Sequence, residues 1–86
     1  MSDAIEAKIR EVLTQHARLP VDVDTLSPDT DLFGAGMSSH ASVSVMLGLE
    51  DAFDVEFPDE MLKREVFESI AAIESALRKL SADVAA

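Results

Sequence analysis

Ser38-Ser39-His40-Ala41-Ser42-Val43-Ser44-Val45-Met46-Leu47-Gly48-Leu49-Glu50-Asp51-Ala52-Phe53 is the stretch that decides the fold. Its spacing predicts a helix from about Ser39 to Phe53, since Ser42, Val45, Met46, Leu49, Ala52 and Phe53 recur at helical intervals as a core-facing stripe. Ser38 is the natural N-cap, its hydroxyl accepting from a first-turn amide. Ser39 is then the first helical residue, with a free hydroxyl beside unpaired amides, where an attached phosphate would meet the positive end of the helix dipole. Ordinary capping is the other reading of both serines. A second strip runs through Ser39, Val43 and Leu47 to Glu50, at i, i+4, i+8 and i+11. With Asp51 and Asp54 following, this is the composition of a small transient docking surface, or else a widened buried face.

Upstream, Ile5, Ile9, Val12 and Leu13 form one face of an amphipathic helix. Asp3 and Glu6 offer a capping box at its start, and Pro20 is the expected stop. Residues 20–37 then make a long connection, with turns at Ser27-Pro28-Asp29 and Gly34-Ala35-Gly36. Val21, Val23, Leu26, Leu32 and Phe33 are its expected anchors on the core. Downstream, Val55-Glu56-Phe57-Pro58 reads as an extended link and Pro58-Asp59-Glu60 as the first turn of a short third helix. Ser69 caps a last helix facing inward with Ile70, Ile73, Leu77 and Leu80. The expected class is all-α: a small four-helix bundle, three main helices and one short, with a long first loop. One domain covers 1–86, ordered over about 3–80 and frayed over 81–86.

The charge has a location as well as a size. The chain carries 17 acidic and 7 basic residues, a net −10. Residues 1–18 and 63–86 each balance, so the excess lies in residues 19–62, which contain no Lys or Arg. Such a field disfavours nucleic acid and anionic membrane surfaces and would steer a basic partner. Zero cysteines exclude a disulfide, a thiolate metal site and a built-in thiol nucleophile. The first residues show no secretory leader and no apolar run is long enough to span a bilayer, so a cytoplasmic monomer is expected.

The enzymatic and metal motifs fail on inspection. Asp29-x-Asp31-x-Phe33-Gly34 begins like a calcium loop, but Phe33 and His40 stand where oxygen ligands are needed. Gly34-x-Gly36 follows no strand. Ser39 and His40 are adjacent on a helix, about 100° apart, which places His40 badly as a base for Ser39. His16 reads as a partly exposed helix-terminal residue. No metal site and no catalytic residue is expected, and a noncovalent acidic adaptor docking on a basic partner is one reading of the residues.

Asp31-Leu32-Phe33-Gly34-Ala35-Gly36-Met37-Ser38-Ser39, with Leu49-Glu50-Asp51-Ala52-Phe53 and Val55-Glu56-Phe57-Pro58-Asp59-Glu60, resembles the acyl carrier protein family from Leu26 to Leu80. The resemblance implies that Ser39 carries a 4′-phosphopantetheine arm, donated by coenzyme A through a phosphopantetheinyl transferase. It implies supporting positions at Gly36, Met37, Ser38 and His40, and partner docking by Val43, Leu47, Glu50, Asp51, Asp54 and Met61. The arm would hold an acyl or aminoacyl group as a thioester and deliver it to a downstream acceptor enzyme. Ser38 replaces the family's usual aspartate and His40 its usual leucine, while Ala41 and Ser44 stand where fatty-acid carriers are often acidic. The Ser-Ser pair, Ala41-Ser42-Val43 and Leu47-Gly48-Leu49-Glu50 are similar to stand-alone aminoacyl carriers. That likeness implies loading by an amino acid:[carrier protein] ligase resembling a truncated seryl-tRNA synthetase, ahead of other acyl-loading enzymes and of fatty-acid cargo.

Overall fold

The computed structural model describes residues 2–85, and their side chains over 4–80. Four α-helices follow one another: α1 (Ser2–His16), α2 (Ser39–Phe53), α3 (Arg64–Phe67) and α4 (Ile70–Ala85), with 3-10 turns at Val23–Thr25 and Asp59–Met61. No strand occurs among the described residues. The chain is therefore the expected small helical bundle, with α1 packed against α2 and α4, and α3 against α4.

The core follows the helical periodicities. Ile9, Val12 and Leu13 on α1 meet Val45 and Leu49 on α2, and Ile70, Ile73, Ala76, Leu77 and Leu80 on α4. Phe57 and Phe67 close one end edge to face, with ring centroids 5.4 Å apart. The predicted cap at Ser69 is present: its Oγ accepts from the Ala72 amide at 3.1 Å.

Three local expectations need correction. α1 begins at Ser2, so Asp3 lies inside it rather than at its cap, and Glu6 instead pairs with Arg10 at 2.9 Å. α1 stops at His16, before Pro20; the chain turns away where Arg18 adopts the left-handed conformation, φ 54°. Pro58 precedes a 3-10 turn, and the short α-helix forms later, at Arg64–Phe67. α4 runs from Ile70 to Ala85.

The long first connection is pinned to the bundle. Leu32 donates its amide to the Glu68 carbonyl at 2.7 Å, and the Ala71 amide reaches the Pro28 carbonyl at 2.9 Å. The Arg10 guanidinium donates to the Val23 carbonyl at 2.7 Å. Val23 and Leu32 are buried, and Leu26 and Phe33 lie half-buried against the core. Val21 does not serve as an anchor and stays 45% exposed.

Candidate functional site

The start of α2 is built by the loop before it. The Asp31 carboxylate accepts from the Phe33 amide at 3.1 Å, and the Asp31 carbonyl accepts from Ala35 at 2.9 Å. The Met37 amide then returns to the Leu32 carbonyl at 3.0 Å, and buried Met37 fixes the turn to the core. Gly36 is required here twice over. Its φ of +124° is one that L side chains rarely adopt, and a Cβ would stand 2.7 Å from Cδ of Pro20.

Ser38 leaves this turn extended (φ −80°, ψ 163°), and its Oγ accepts from the Ala41 amide at 3.0 Å. That is the predicted cap. Ser39 follows as the first helical residue, and its side chain is exposed. Its carbonyl accepts from the Ser42 hydroxyl at 2.6 Å, but no hydrogen bond among the described residues ties up its own hydroxyl. The cap thus spends Ser38 on structure and leaves Ser39 available.

Ser39 opens onto a groove of about 380 Å³ between α2 and residues 62–67, lined also by Phe33, Ser42, Val43, Met46, Leu62, Lys63, Arg64 and Phe67. The volume lies at the small end of ligand sites. His40 faces elsewhere, into a cleft with Arg18, Gly36, Ser38 and Ser44, so the two adjacent side chains do not form a dyad. The serine, the outward end of the helix and the groove fit a phosphopantetheine arm. The hydroxyl can take the phosphate, the unpartnered amides of the first turn favour an anion, and the apolar walls suit the chain beyond it.

The remaining residues of the expected docking set are not brought together equally. Val43 and Leu47 are 53% and 55% exposed. Asp51 is exposed and shares a cleft with Leu47, Lys8 and His16. Asp54 is exposed as the left-handed C-cap of α2. Glu50, placed on the rim from its register, turns its carboxylate to the Phe57 amide at 2.8 Å and so braces the link after α2. Met61 lies half-buried against the core. Phe33 and residues 62–67 were absent from the expected site, because only tertiary packing carries them to Ser39. The exposed, apolar Leu62 beside two cations was the one local signal for them.

The domain presents an exposed serine at a helix start, beside a groove. Residues 5–77 match the model of the family described as phosphopantetheine attachment site. The chain belongs to that family: it bears a covalent 4′-phosphopantetheine and carries its cargo without performing catalysis itself. This displaces the noncovalent adaptor. The chain is 51% identical over 74 residues to the aminoacyl carrier protein of Agrobacterium fabrum, covering 86% of this chain and 89% of that protein. It matches a chain in the crystal structure of an engineered Bradyrhizobium japonicum glycine:[carrier protein] ligase complexed with carrier protein from Agrobacterium tumefaciens and ATP. That match has TM-score 0.85 and 51% identity, over 87% of this chain and 97% of the other. A more distant match is a structure of the Bradyrhizobium japonicum ligase complexed with glycylated carrier protein, with TM-score 0.65 and 28% identity, over 86% and 95%.

Proposed function

We propose that Ser39 is the attachment residue and that the cargo is an aminoacyl group loaded by an amino acid:[carrier protein] ligase, with glycine the first amino acid to test. The observation that carries the first part is the division of labour between the two serines: Ser38 is held in the cap, while Ser39 is exposed at the groove. In the modification, the Ser39 hydroxyl gives up its proton and bonds to the phosphorus as the nucleotide part of coenzyme A leaves. The thiol at the far end of the arm supplies the thioester linkage that the cysteine-free chain lacks. The chain's own contribution is to hold Ser39 at the helix start and to offer Val43 and Leu47 to the partner.

The likeness to a curated aminoacyl carrier, and to chains solved with a glycine ligase, supports the aminoacyl reading. So does the neutral start of α2, where Ser38 caps and His40, Ala41 and Ser44 leave no acidic side chain in the first two turns. We infer a transferase before the ligase and an acceptor enzyme after it, in the cytoplasm, with the carrier acting as a monomer. No helix among the described residues is long and apolar enough to cross a membrane.

The test is loading. The phosphopantetheinylated protein is incubated with ATP, glycine and a glycine:[carrier protein] ligase, and a glycyl adduct that hydroxylamine removes is read by intact mass. The expected result is one adduct per chain. Loading by a fatty-acid ligase in preference to the amino acid ligase would overturn the cargo assignment.

A further inference from the structure

The groove beside Ser39 has an unusual rim for so acidic a protein. Residues 19–62 contain ten carboxylates and no Lys or Arg, and the first cations after them, Lys63 and Arg64, both line this groove. The two ion pairs among the described residues are Glu6 with Arg10 and Glu74 with Arg78, so among those residues neither Lys63 nor Arg64 forms an ion pair. Arg64 is held in place by Phe33, its guanidinium carbon lying 4.2 Å from the ring centroid. The other side chains lining the groove are mostly apolar: Phe33, Val43, Met46, Leu62 and Phe67.

We propose that Lys63 and Arg64 hold the phosphodiester of the arm, drawing its first section into the groove between α2 and α3. The inference rests on Ser39 as the attachment residue. A phosphodiester on Ser39 places a negative charge at the mouth of a groove whose charged side chains are both positive. Arg64 offers a planar fork of donors suited to phosphate oxygens, and stacking on Phe33 has already limited its rotamers, so less freedom is lost when it binds. Lys63 adds a second positive charge among the lining residues. The carboxylates of Asp59, Glu60 and Glu65 lie nearby in sequence, but none is among the groove-lining residues. Lys63 and Arg64 are exposed, so the effect is one of population and is screened by salt.

The experiment compares wild type with a Lys63→Gln/Arg64→Gln double variant, both treated with coenzyme A and a broad-specificity phosphopantetheinyl transferase and checked by intact mass. Phosphorus NMR then reads the phosphodiester, and nuclear Overhauser contacts between the pantetheine methyl groups and Leu62 or Val43 read docking of the arm. In low salt, the docked population is expected to fall about two- to five-fold in the double variant, as for an exposed ion pair. Raising salt to about 1 M, where the screening length is about 3 Å, should move the wild-type phosphorus signal toward that of the variant and leave the variant's in place. Arg64→Lys should retain most of the effect, which separates charge from any change in folding. If both proteins gain the arm yet show the same phosphorus signal and the same contacts at low salt, the rim does not hold the phosphodiester. If neither gains the arm, the Ser39 assignment itself fails and this inference falls with it.

Discussion

Val43 and Val45, and likewise Leu47 and Leu49, stand two positions apart in α2, yet their surroundings are opposite. Val45 and Leu49 are 0% exposed, whereas Val43 is 53% and Leu47 55% exposed. Residue type cannot explain this, because each pair is identical. What differs is the neighbour that each face meets: Val45 and Leu49 pack into the core with α1 and α4, whereas Val43 opens on the groove beside Ser39 and Leu47 on the cleft with Lys8 and His16. A chain of 86 residues with one small core leaves two large aliphatics in water on the helix that begins at Ser39. The proposed function gives these two side chains to the partner enzyme, and the substitutions below test that assignment.

The comparison can be broken most easily at Leu49. Leu49→Ala should cost about 2–5 kcal/mol in denaturant unfolding, the range for emptying a sealed leucine site. Leu47→Ala should cost far less, and equal losses would mean that the two faces are not different in kind. Gly36→Ala should cost about 1–3 kcal/mol through its strained φ, with a further penalty from the approach to Pro20. Because Gly36 lies two residues before the Ser38 cap, amide spectra of this variant should change first at residues 37–41. Ser38→Ala should cost about 1 kcal/mol of helix capping while modification at Ser39 continues. The smallest stability change belongs to the open face: Val43→Glu and Leu47→Glu should stay within about 0.5 kcal/mol of wild type. Those two variants should nevertheless lower the rate of aminoacylation by the ligase. A large loss of thermal stability in either would assign that strip to the core.

Much of this contrast was legible in the sequence. The period of Val45, Leu49 and Phe53 and the capping chemistry of Ser38 located α2 at Ser39–Phe53, where the structure has it. Those signals are local, carried by residues within a few positions of one another. The end of α1 was not legible, because Arg18 takes a left-handed conformation in place of a glycine and the chain turns before Pro20. The short helix after Pro58 was misplaced because a 3-10 turn and a four-residue helix share the same early-turn chemistry. Glu50 read as a surface acid from its register, since nothing in the spacing announces that its carboxylate meets the Phe57 amide seven residues on. The groove was the largest omission. Phe33 comes from the loop before α2 and residues 62–67 from the segment after it, and only packing joins them at Ser39.

The central claim is that one of two adjacent serines is structural and the other chemical. Intact mass after incubation with coenzyme A and a broad-specificity phosphopantetheinyl transferase tests it directly, with wild type, Ser38→Ala and Ser39→Ala side by side. A gain of one phosphopantetheine in wild type and Ser38→Ala, and none in Ser39→Ala, is the predicted result. A gain that persists in Ser39→Ala, or that disappears only in Ser38→Ala, would contradict it.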